Sequence, residues 1–321
     1  MTDLESTSTP RPQREPLVPP AGMEIFAADM TATLSADVLL NEVQQKLAQL
    51  DQWLPVDADA PAATVGELVD RNSTGPLRLG YGAWRDLLLG CQFTNGRGQL
   101  ITAGGRAVKN VAGYDLTKFM VGQHGVFGKL ETVTTRTYRR PQWAMTAIFA
   151  PDARLFHALL ATPCRPQWAT LSKEQLTCGY LGDERMMAFM QTALRALEPR
   201  EIGQPAVFTG APPHIPTFYF GSGDTFRVAL PPARIEQFVL ACNLQNWIAD
   251  PAYGIVLGGL DEFVTHDAVH KAAADSSGWV TFRNRDHSLA YEPASPGERD
   301  ILRRLKRTFD PDGRLNPLPF T

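Results

Sequence analysis

Glycine is concentrated in one stretch of the chain, residues 75–128, which holds twelve of the 26 glycines. Within it Gly122, Gly125 and Gly128 stand three residues apart, a spacing at which backbone N–H groups can meet a diphosphate or the edge of a base. Basic side chains outnumber acidic ones in and just after this stretch, which favours an anionic ligand. The same glycines could instead serve only as tight turns in a sheet-rich domain, with the basic residues keeping its surface soluble.

Motifs for other ligand classes are missing from the sequence. No P-loop pattern is present, and no GxGxxG follows a strand and opens a helix, which excludes the usual nucleotide-binding loops. Four widely spaced cysteines argue against a zinc site, an iron–sulfur cluster or a disulfide framework, and they fit a reducing cytoplasm. The net charge of −3 provides no field for nucleic acid, and no run of eighteen apolar residues could span a membrane.

The N-terminal residues 1–22 are rich in proline, serine and charged residues and poor in apolar ones. This composition buries too little surface to offset the entropy of ordering, so we expect a disordered tail, with a docking peptide for a partner as the alternative. The tail has no apolar stretch after a basic start and therefore does not match a signal peptide.

Apolar spacing predicts the first secondary-structure elements. Order is expected to begin near Met23 with the short strand MEIFAA, followed by a helix that Ser35 caps. One apolar stripe on this helix would contain Leu39, Val43, Leu47 and Leu50. Residues 51–66 are predicted to form an extended loop, and LITAGG and VTTRTY are predicted to be strands.

A domain boundary is predicted at Pro141 and Gln142. Beyond it strands and helices alternate on both sides of a Pro/Gly-rich crossing at residues 199–224, and the chain closes with the amphipathic helix ERDILRRLKRTF. This order predicts an α+β fold class in which the second domain is built on an antiparallel sheet. The predicted divisions are a tail (1–22), a first domain (23–141) and a second domain (142–321).

The motifs of the glycine-rich stretch together resemble a known family. YG-x-x-RD, GGR-x-x-KN-x-x-GYD and G-x-x-G-x-x-G occur in that order, and FDPDGRLNP near the C-terminus resembles the family's closing turn. The segment is similar to the vanillyl-alcohol-oxidase or PCMH-type FAD-binding domain, and in particular to the FAD-binding, E-type subunit of glycolate oxidase. The resemblance implies a PCMH-type FAD-binding domain followed by an α+β cap domain, with FAD as the cofactor.

The resemblance also implies cofactor-binding roles by position. The residues expected to contact FAD are Thr64, Val65, Gly66, Gly75, Tyr81, Gly82, Arg85, Asp86, Lys109, Tyr114, Asp115, Gly122, Gly125, Val126 and Gly128. The first three would belong to a loop along the ribityl and diphosphate groups, and the last four to a turn at the adenine end. Arg85 and Asp86 could instead form an ion pair, and Tyr114 and Asp115 could pin the following helix. Asn316 is expected to lock the C-terminal turn rather than to contact FAD.

The sequence departs from the family where the diphosphate would bind. Family members begin with a β-α-β unit whose Pro-x-Gly-Gly-Gly loop wraps the diphosphate, and this sequence has no such loop. Glu67 stands where the family has a second glycine, and a carboxylate repels a diphosphate by about 1 kcal/mol when solvated at roughly 4 Å. Both differences predict reduced or lost affinity for FAD. A gene product truncated before that unit is a further reading, although the polar tail does not resemble the unit.

The six histidines provide no catalytic base or metal site that the sequence supports. His266 and His270 are spaced by four residues and could share a metal ion, but a solvated helix face is favoured because the relatives' GH-x-x-DGN-x-H motif does not accompany them. His124, inside the glycine motif, and His287, in a charged loop, have no supporting motif either. We therefore predict no catalytic residue and no metal site in this chain.

Two functions remain open on the sequence. The first is an FAD-binding-type accessory subunit of a glycolate (2-hydroxy acid) oxidase complex, which supports flavin-dependent oxidation but is not catalytic alone. The second is a structural subunit that has lost FAD binding and stabilises the catalytic partner. In both cases the resemblance implies a catalytic D-type subunit as partner, with an iron–sulfur subunit as a further one. The expected location is the cytoplasm, or the periphery of the inner membrane through these partners.

Overall fold

A computed structural model of the chain describes residues 22–57, 62–105, 115–209, 224–283, 289–290, 296–318 and 320. The predictions for the tail up to residue 21, and for Lys109, Tyr114 and His287, lie outside the described residues. No helix within these ranges is both long and apolar enough to cross a membrane.

The first part of the chain is built on a five-stranded antiparallel sheet. The strands are β1 (Met23–Phe26), β2 (Thr31–Ser35), β3 (Gln52–Trp53), β4 (Leu88–Thr94), β5 (Leu100–Gly104), β6 (Lys129–Arg136) and β7 (Tyr138–Arg139). The helices are α1 (Leu40–Ala48), α2 (Val65–Asp70), α3 (Arg78–Tyr81), α4 (Trp84–Leu87) and α5 (Leu116–Phe119). The sheet has the order β1-β2-β6-β4-β5, while β3 and β7 pair separately.

The prediction for the first helix was wrong at its start. Ser35 ends β2, a strand between β1 and β6, and α1 begins only at Leu40, without a side-chain cap. The predicted stripe is present at Val43 and Leu47, which are fully buried, whereas Leu50 lies beyond the helix and is exposed. The central strands β2 and β4 were not predicted, because neither shows a clean alternation of apolar and polar residues.

The second part of the chain forms one large antiparallel sheet, as the alternation of elements predicted. Its strands are β8 (Trp143–Phe149), β9 (Trp168–Ser172), β10 (Leu176–Gly182), β11 (Glu201–Ile202), β12 (Ala206–Val207), β13 (Thr225–Ala229), β14 (Trp247–Asp250), β15 (Ile255–Gly259), β16 (Trp279–Arg283) and β17 (Leu289–Ala290). The order is β11-β8-β10-β9-β14-β15-β13-β16-β17, with β12 also paired to β8. The edge strands β11 and β12 lie in the segment predicted as a crossing, so the antiparallel sheet extends further than expected.

Four helices pack on one face of this second sheet, and a fifth closes the chain. They are α6 (Ala153–Leu160), α7 (Glu184–Arg195), α8 (Ile235–Ala241), α9 (His266–Asp275) and α10 (Pro296–Phe309). Side chains of Asp152, Asp183 and Thr265 cap α6, α7 and α9, so the sequence specifies where these helices begin. The apolar faces of the first four helices share one core with the alternate residues of the sheet.

The C-terminal end of α10 packs against the first sheet. The Phe309 ring lies 5.5 Å from the ring of Phe119 and 6.2 Å from the rings of Phe93 and Phe127, measured between centroids. The backbone N–H of Gly96 donates to the Phe309 carbonyl at 2.9 Å. After the last strand of the second sheet the chain therefore returns to the first part. Contacts of the C-terminal helix connect the two parts.

An aromatic cluster joins the two sheets directly. Trp53 of the first part meets Phe208 of the second edge to face, with ring centroids 4.9 Å apart. Beside them Trp168 lies flat over Gly179 of the next strand, where an added Cβ would come within 1.8 Å of the indole. Glycine is required there because the indole occupies the space of a side chain. Both tryptophans are almost fully buried, so the junction between the parts is a packed apolar contact.

Candidate functional site

A small pocket, with free space of about 10 Å³ for about one water molecule, lies in the first part of the chain. Its wall combines polar side chains with glycines and a single cation. The lining residues are Pro55, Val56, Asp57, Ser73, Thr74, Gly75, Arg78, Gly82, Ala83 and Trp84. The pocket thus lies between the segment that follows β3 and the turns that surround α3.

Asp57 organises the wall of this pocket. Its carboxylate accepts a hydrogen bond from the backbone N–H of Leu77 at 3.1 Å. A Cβ on Gly75 would lie 2.6 Å from the Asp57 carboxyl carbon, so glycine is needed for the close approach. Burial raises the pKa of Asp57 to about 7, against the effect of the Leu77 and Gly75 hydrogen bonds, and the charge of Asp250 raises it further. The carboxyl group therefore changes its charge near neutral pH while it holds the turn that precedes Arg78.

Arg78 extends from the pocket to the second sheet. Its guanidinium lies 4.0 Å from the centre of the Tyr253 ring, a cation–π contact, and the Tyr253 hydroxyl donates to the Arg78 carbonyl at 3.4 Å. Tyr253 is held in place by Asp250, whose carboxylate accepts hydrogen bonds from the N–H groups of Ala252 and Tyr253 at 2.9 and 3.2 Å. Arg78 therefore connects the wall of the pocket to the turn between β14 and β15.

The face of the second sheet opposite its helices carries a second arginine. In β13 the neighbours Phe226 and Val228 are buried in the helix-covered core, so Arg227 projects from the other face. Strand register places Asp250 and Trp279 on the same face, since both align with Ala229 across the sheet. The guanidinium of Arg227 lies 5.7 Å from the centre of the Trp279 ring.

The charges of the two parts form one electrostatic cluster that contains Asp57, Arg78, Arg227 and Asp250. Burial raises the pKa of Asp250 to about 6, while its backbone hydrogen bonds and both guanidinium groups act to lower it. Burial, followed by the positive charge of Arg78, lowers the pKa of Arg227 to about 10. The pKa of Arg227 thus stays above neutral pH, while the pKa values of Asp250 and Asp57 lie close to it. The cluster therefore combines two guanidinium groups with two buried carboxyl groups that titrate near neutral pH.

Thr64, Val65 and Gly66 begin a helix, so the loop predicted over residues 51–66 is shorter than expected. The Thr64 hydroxyl accepts from the N–H of Glu67 at 3.2 Å, and the Glu67 carboxylate accepts from the N–H of Thr64 at 3.0 Å. This capping box gives Glu67 a local structural role that the comparison with the family did not indicate. Val65 is fully buried, and a Cβ on Gly66 would lie 2.6 Å from the Ala36 carbonyl oxygen.

Gly82 and Asp86 shape the turn between α3 and α4. Gly82 has φ +86°, in the region that favours glycine, and the Asp86 carboxylate accepts from the N–H of Ala83 at 2.9 Å. Among the described residues no ion pair joins Arg85 to Asp86, so the ion pair considered from the sequence is not formed. Tyr81 packs edge to face on Trp53 at 5.2 Å, and burial raises its pKa to about 12. Of the residues predicted to contact FAD in this segment, Tyr81, Gly82, Arg85 and Asp86, only Gly82 lines the pocket.

The turn that contains Gly122, Gly125, Val126 and Gly128 is held by protein groups. The N–H of Gly125 donates to the Asp70 carboxylate at 3.0 Å, and the Gln123 side chain accepts from the N–H groups of Phe127 and Gly128 at 2.7 and 3.3 Å. The N–H groups of residues 122, 124 and 126 donate to backbone carbonyls. These donors are therefore used within the protein, whereas the glycine spacing had suggested that they were exposed. Contact of this turn with FAD stays a prediction.

The C-terminal segment covers this turn. The Asn316 side-chain amide donates to the His124 carbonyl at 2.8 Å, and its backbone N–H donates to the Gly125 carbonyl at 3.1 Å. Lys306 donates to the Val126 carbonyl at 2.9 Å and pairs with the buried Asp310 at 2.6 Å. These bonds agree with the locking role predicted for Asn316, with the difference that Asn316 also fixes the glycine turn.

Asp115, the one described residue of the predicted KN-x-x-GYD element, caps α5. Its carboxylate accepts from the N–H of Lys118 at 3.2 Å and forms an exposed ion pair with that side chain at 3.5 Å. This agrees with the alternative in which the element pins the following helix. No group of three metal-ligating side chains occurs in the part of the chain that the structure describes.

Sequence reasoning overlooked Asp57, Arg227 and Asp250. Each is a single charged residue inside or at the end of an apolar run, in WLPVD, TFRVAL and WIAD respectively. A charge in such a run is costly to bury without a partner, and this could have indicated a polar site. It could not have indicated that the three runs meet.

Comparison with known proteins finds similarity over part of this chain. Residues 21–104 match the model of the FAD binding domain. Glycolate oxidase subunit GlcE of Escherichia coli is 32% identical over 37% of this chain, and subunit GlcD of Bacillus subtilis is 29% identical over 39% of it. D-2-hydroxyglutarate dehydrogenase of Xanthomonas citri is 26% identical over 71% of it. The chain covers only 34%, 27% and 44% of these relatives, respectively.

A solved structure confirms the fold over nearly the whole chain. Alkyldihydroxyacetonephosphate synthase superposes on 92% of this chain and 64% of its own, with a TM-score of 0.64 at 13% identity. The predicted α+β class is thus confirmed. The match over residues 21–104 supports the predicted relationship to FAD-binding proteins and FAD as the indicated cofactor.

The described pocket offers polar groups to a ligand but little space for one. Its free volume of about 10 Å³ is enough for about one water molecule, far below the roughly 300–1,000 Å³ that is usual for a ligand of drug size. Hydroxyl groups of Ser73 and Thr74 and the guanidinium of Arg78 provide donors for an anionic or carbonyl group.

Proposed function

We propose that this PCMH-type FAD-binding chain is an accessory subunit of a complex that oxidises a 2-hydroxy acid, with glycolate as the substrate that the family resemblance implies. The chain would support flavin-dependent oxidation without catalysing it alone. The observation that carries the proposal is that the match to the FAD binding domain, residues 21–104, contains every residue that lines the pocket.

The roles of the pocket residues follow from their contacts. FAD supplies the redox chemistry when bound, and the protein supplies binding, orientation and electrostatics. Ser73, Thr74 and Arg78 would bind a polar part of the cofactor, and Asp57 would keep the preceding turn in the conformation that presents Arg78. We also propose that the other residues implied by the family resemblance contact FAD.

The partners are proposed from the relatives. Two of them are named as subunits of glycolate oxidase, which supports a multi-subunit assembly. We infer a D-type catalytic subunit as the direct partner and an iron–sulfur subunit as a further one. The cytoplasm, or the periphery of the inner membrane through these partners, is the location that such an assembly would have.

A second candidate is a structural subunit that has lost FAD binding. It is favoured by the small volume of the described pocket and by the glycine turn, whose N–H groups are already used by protein acceptors. In this case the aromatic contact between the two parts of the chain would maintain the fold, and the only role of the chain would be to stabilise the partner.

The visible spectrum of the purified chain separates the two candidates. An FAD-binding subunit should show the absorption bands of oxidised flavin, either as purified or after addition of FAD. FMN is the matched control, because it has the same ring system but no adenosine, and it should bind more weakly. A protein that stays colourless with both would exclude cofactor binding by the isolated chain and leave the structural role.

The accessory role is tested by co-expression with a D-type subunit. We expect the two chains to co-purify, and we expect glycolate-dependent dye reduction to be greater for the pair than for either chain alone. A chain that elutes as a monomer in the presence of the D-type subunit would contradict the assembly.

A further inference from the structure

We propose that Asn316 and Lys306 are positioning residues for the pocket, which act through the glycine turn at residues 122–128 on the end of α2. The segment that follows α2 supplies Ser73 and Thr74 to the pocket wall. The inference rests on the proposed function for its ligand, FAD. The connection itself rests on hydrogen bonds and packing contacts between the described residues.

The carbonyl groups of the turn form the first step of this connection. Asn316 donates from its side-chain amide to the His124 carbonyl at 2.8 Å and from its backbone N–H to the Gly125 carbonyl at 3.1 Å. Lys306 donates to the next carbonyl along the chain, that of Val126, at 2.9 Å. The turn therefore cannot shift relative to the C-terminal segment without breaking three hydrogen bonds.

Lys306 is held in place by further contacts. Its ammonium group also donates to the Asp310 carboxylate at 2.6 Å and to the Asn316 carbonyl at 2.7 Å, so all three of its N–H donors have acceptors. The Asp310 side chain is fully buried, and the Lys306 side chain is only 14% exposed. A buried ammonium group with three fixed acceptors has little freedom to move, which suits it to fix the position of a turn.

The N–H groups of the turn form the second step. Gly122 donates to the carbonyl of Val69 at 3.0 Å. His124 and Gly125 donate to Asp70, the first to its carbonyl and the second to its carboxylate, each at 3.0 Å. The last carbonyls of a helix lack partners within the helix, so the turn caps the C-terminal end of α2. The turn is thus bonded to the C-terminal segment through its carbonyls and to α2 through its N–H groups.

The end of α2 leads directly into the pocket wall. The Ser73 N–H donates to the Leu68 carbonyl at 2.8 Å, which fixes Ser73 against the last turn of the helix. A Cβ on Gly122 would lie 3.1 Å from the Cβ of Asn72, so the glycine turn also packs against this segment. A shift of the turn would therefore move Ser73 and Thr74, two of the three side chains proposed to donate to FAD.

Titration of the full chain with FAD tests the positioning role. Asn316→Ala removes one hydrogen bond to the turn and should weaken FAD binding by about fivefold. Lys306→Met should weaken it further, and Lys306→Arg should recover part of the affinity because it keeps the charge that pairs with Asp310.

Two control variants should leave the FAD affinity unchanged. Arg314→Ala alters a side chain of the C-terminal segment that is 67% exposed. Thr265→Ala removes the cap of α9 in the second part of the chain, and it lowers stability without touching the turn.

Hydrogen exchange of the chain without FAD tests the connection independently of the cofactor. In Asn316→Ala the N–H groups of Gly122, Gly125 and Ser73 should exchange about fivefold faster than in the wild type, while those of α7 should not change. Faster exchange in the turn alone, with Ser73 unchanged, would show that motion of the turn does not reach the pocket and would overturn the inference.

The two measurements separate this inference from the proposed function. If the wild type binds FAD and the variants of Asn316 and Lys306 bind it equally well, the positioning role is overturned. An equal loss of affinity in Thr265→Ala would assign the effect to stability and would overturn it as well. A wild-type chain that does not bind FAD would contradict the proposed function, and the exchange of the Ser73 N–H would then decide whether the connection exists.

Discussion

The glycine turn at residues 122–128 and the junction around Arg78 and Arg227 differ in almost every respect that matters for binding. In the turn, hydrogen bonds to Asp70, to Gln123 and to backbone carbonyls occupy the donors, and the C-terminal segment covers the backbone. At the junction, Arg78 lines a small pocket and contacts Tyr253, and Arg227 lies near Trp279 on a face of the second sheet.

This difference shows why a glycine pattern alone does not locate a ligand. Glycine permits close approach and positive φ, but the group that approaches can belong to the protein itself. Every buried backbone donor needs an acceptor, and in the turn these acceptors are Asp70 and Gln123. At the junction the side chains still have donors to offer. The second region is therefore the better place to look for a ligand.

The largest effect is expected from closing the space at Gly125. This residue has φ +70°, and a Cβ would lie 2.6 Å from the Asn316 amide nitrogen. Gly125→Ala should lower the free energy of unfolding by about 3 kcal/mol, through backbone strain and the loss of the Asn316 hydrogen bond. Urea denaturation measures the change. Gly98→Ala is the matched control, because Gly98 has φ +74° and nothing lies within 4 Å of its Cβ position.

The control separates strain from packing. Gly98→Ala should lose only about 1–2 kcal/mol from strain. Equal losses of unfolding free energy in the two variants would show that the C-terminal segment contributes nothing to the stability of the glycine turn. The turn would then be less firmly held within the protein than the hydrogen bonds indicate.

A smaller effect is expected from the charge of Asp57 at the junction. Its pKa is raised from 3.8 to about 7, so it favours the folded state most below pH 4, and this contribution is lost as the pH rises through 7. Asp57→Asn removes the charge and keeps an oxygen for Leu77. From pH 5.5 to pH 8 the variant should gain about 2 kcal/mol of stability relative to the wild type, measured by urea denaturation at both values.

The neighbours of Asp57 titrate in the same range and must be held constant. Asp250 has a pKa of about 6 and titrates in both the wild type and the variant, so its contribution largely cancels from the difference. A stability difference that does not change between pH 5.5 and pH 8 would show that the Asp57 carboxyl is solvated and does not titrate in this range.

Much of the second sheet could be predicted, because its elements carry strong local signals. The helices capped by Asp152, Asp183 and Thr265 show a cap followed by apolar residues at spacings of three and four. Predictions failed where long-range pairing decides the structure. β2 is a strand because β1 and β6 pair with it on either side, and its own sequence resembles the lead-in to a helix.

The candidate site could be predicted only in part, for the same reason. Gly75 and Gly82 were placed at the cofactor by resemblance, and both line the pocket. Arg227 and Asp250 come from strands more than 140 residues away from Arg78 in sequence, and only the fold brings them together. Local patterns contain no information on that contact.

The smallest effect is expected at Glu67, which lies on α2 between the two regions. Glu67→Gln retains the capping box with Thr64, since either side chain can accept that hydrogen bond, and removes only the charge. If the carboxylate faces the diphosphate, FAD affinity should increase about two- to fivefold in a flavin titration. This change in binding free energy is less than about 1 kcal/mol, because Arg71 lies 3.8 Å away and the site is exposed.

Glu67→Ala is the control for the helix cap and should lose about 0.5–1 kcal/mol of stability. An FAD affinity that is unchanged in Glu67→Gln would mean that the Glu67 carboxylate acts only in the helix cap. The start of α2 would then resemble the glycine turn at residues 122–128, where the polar groups are used within the protein.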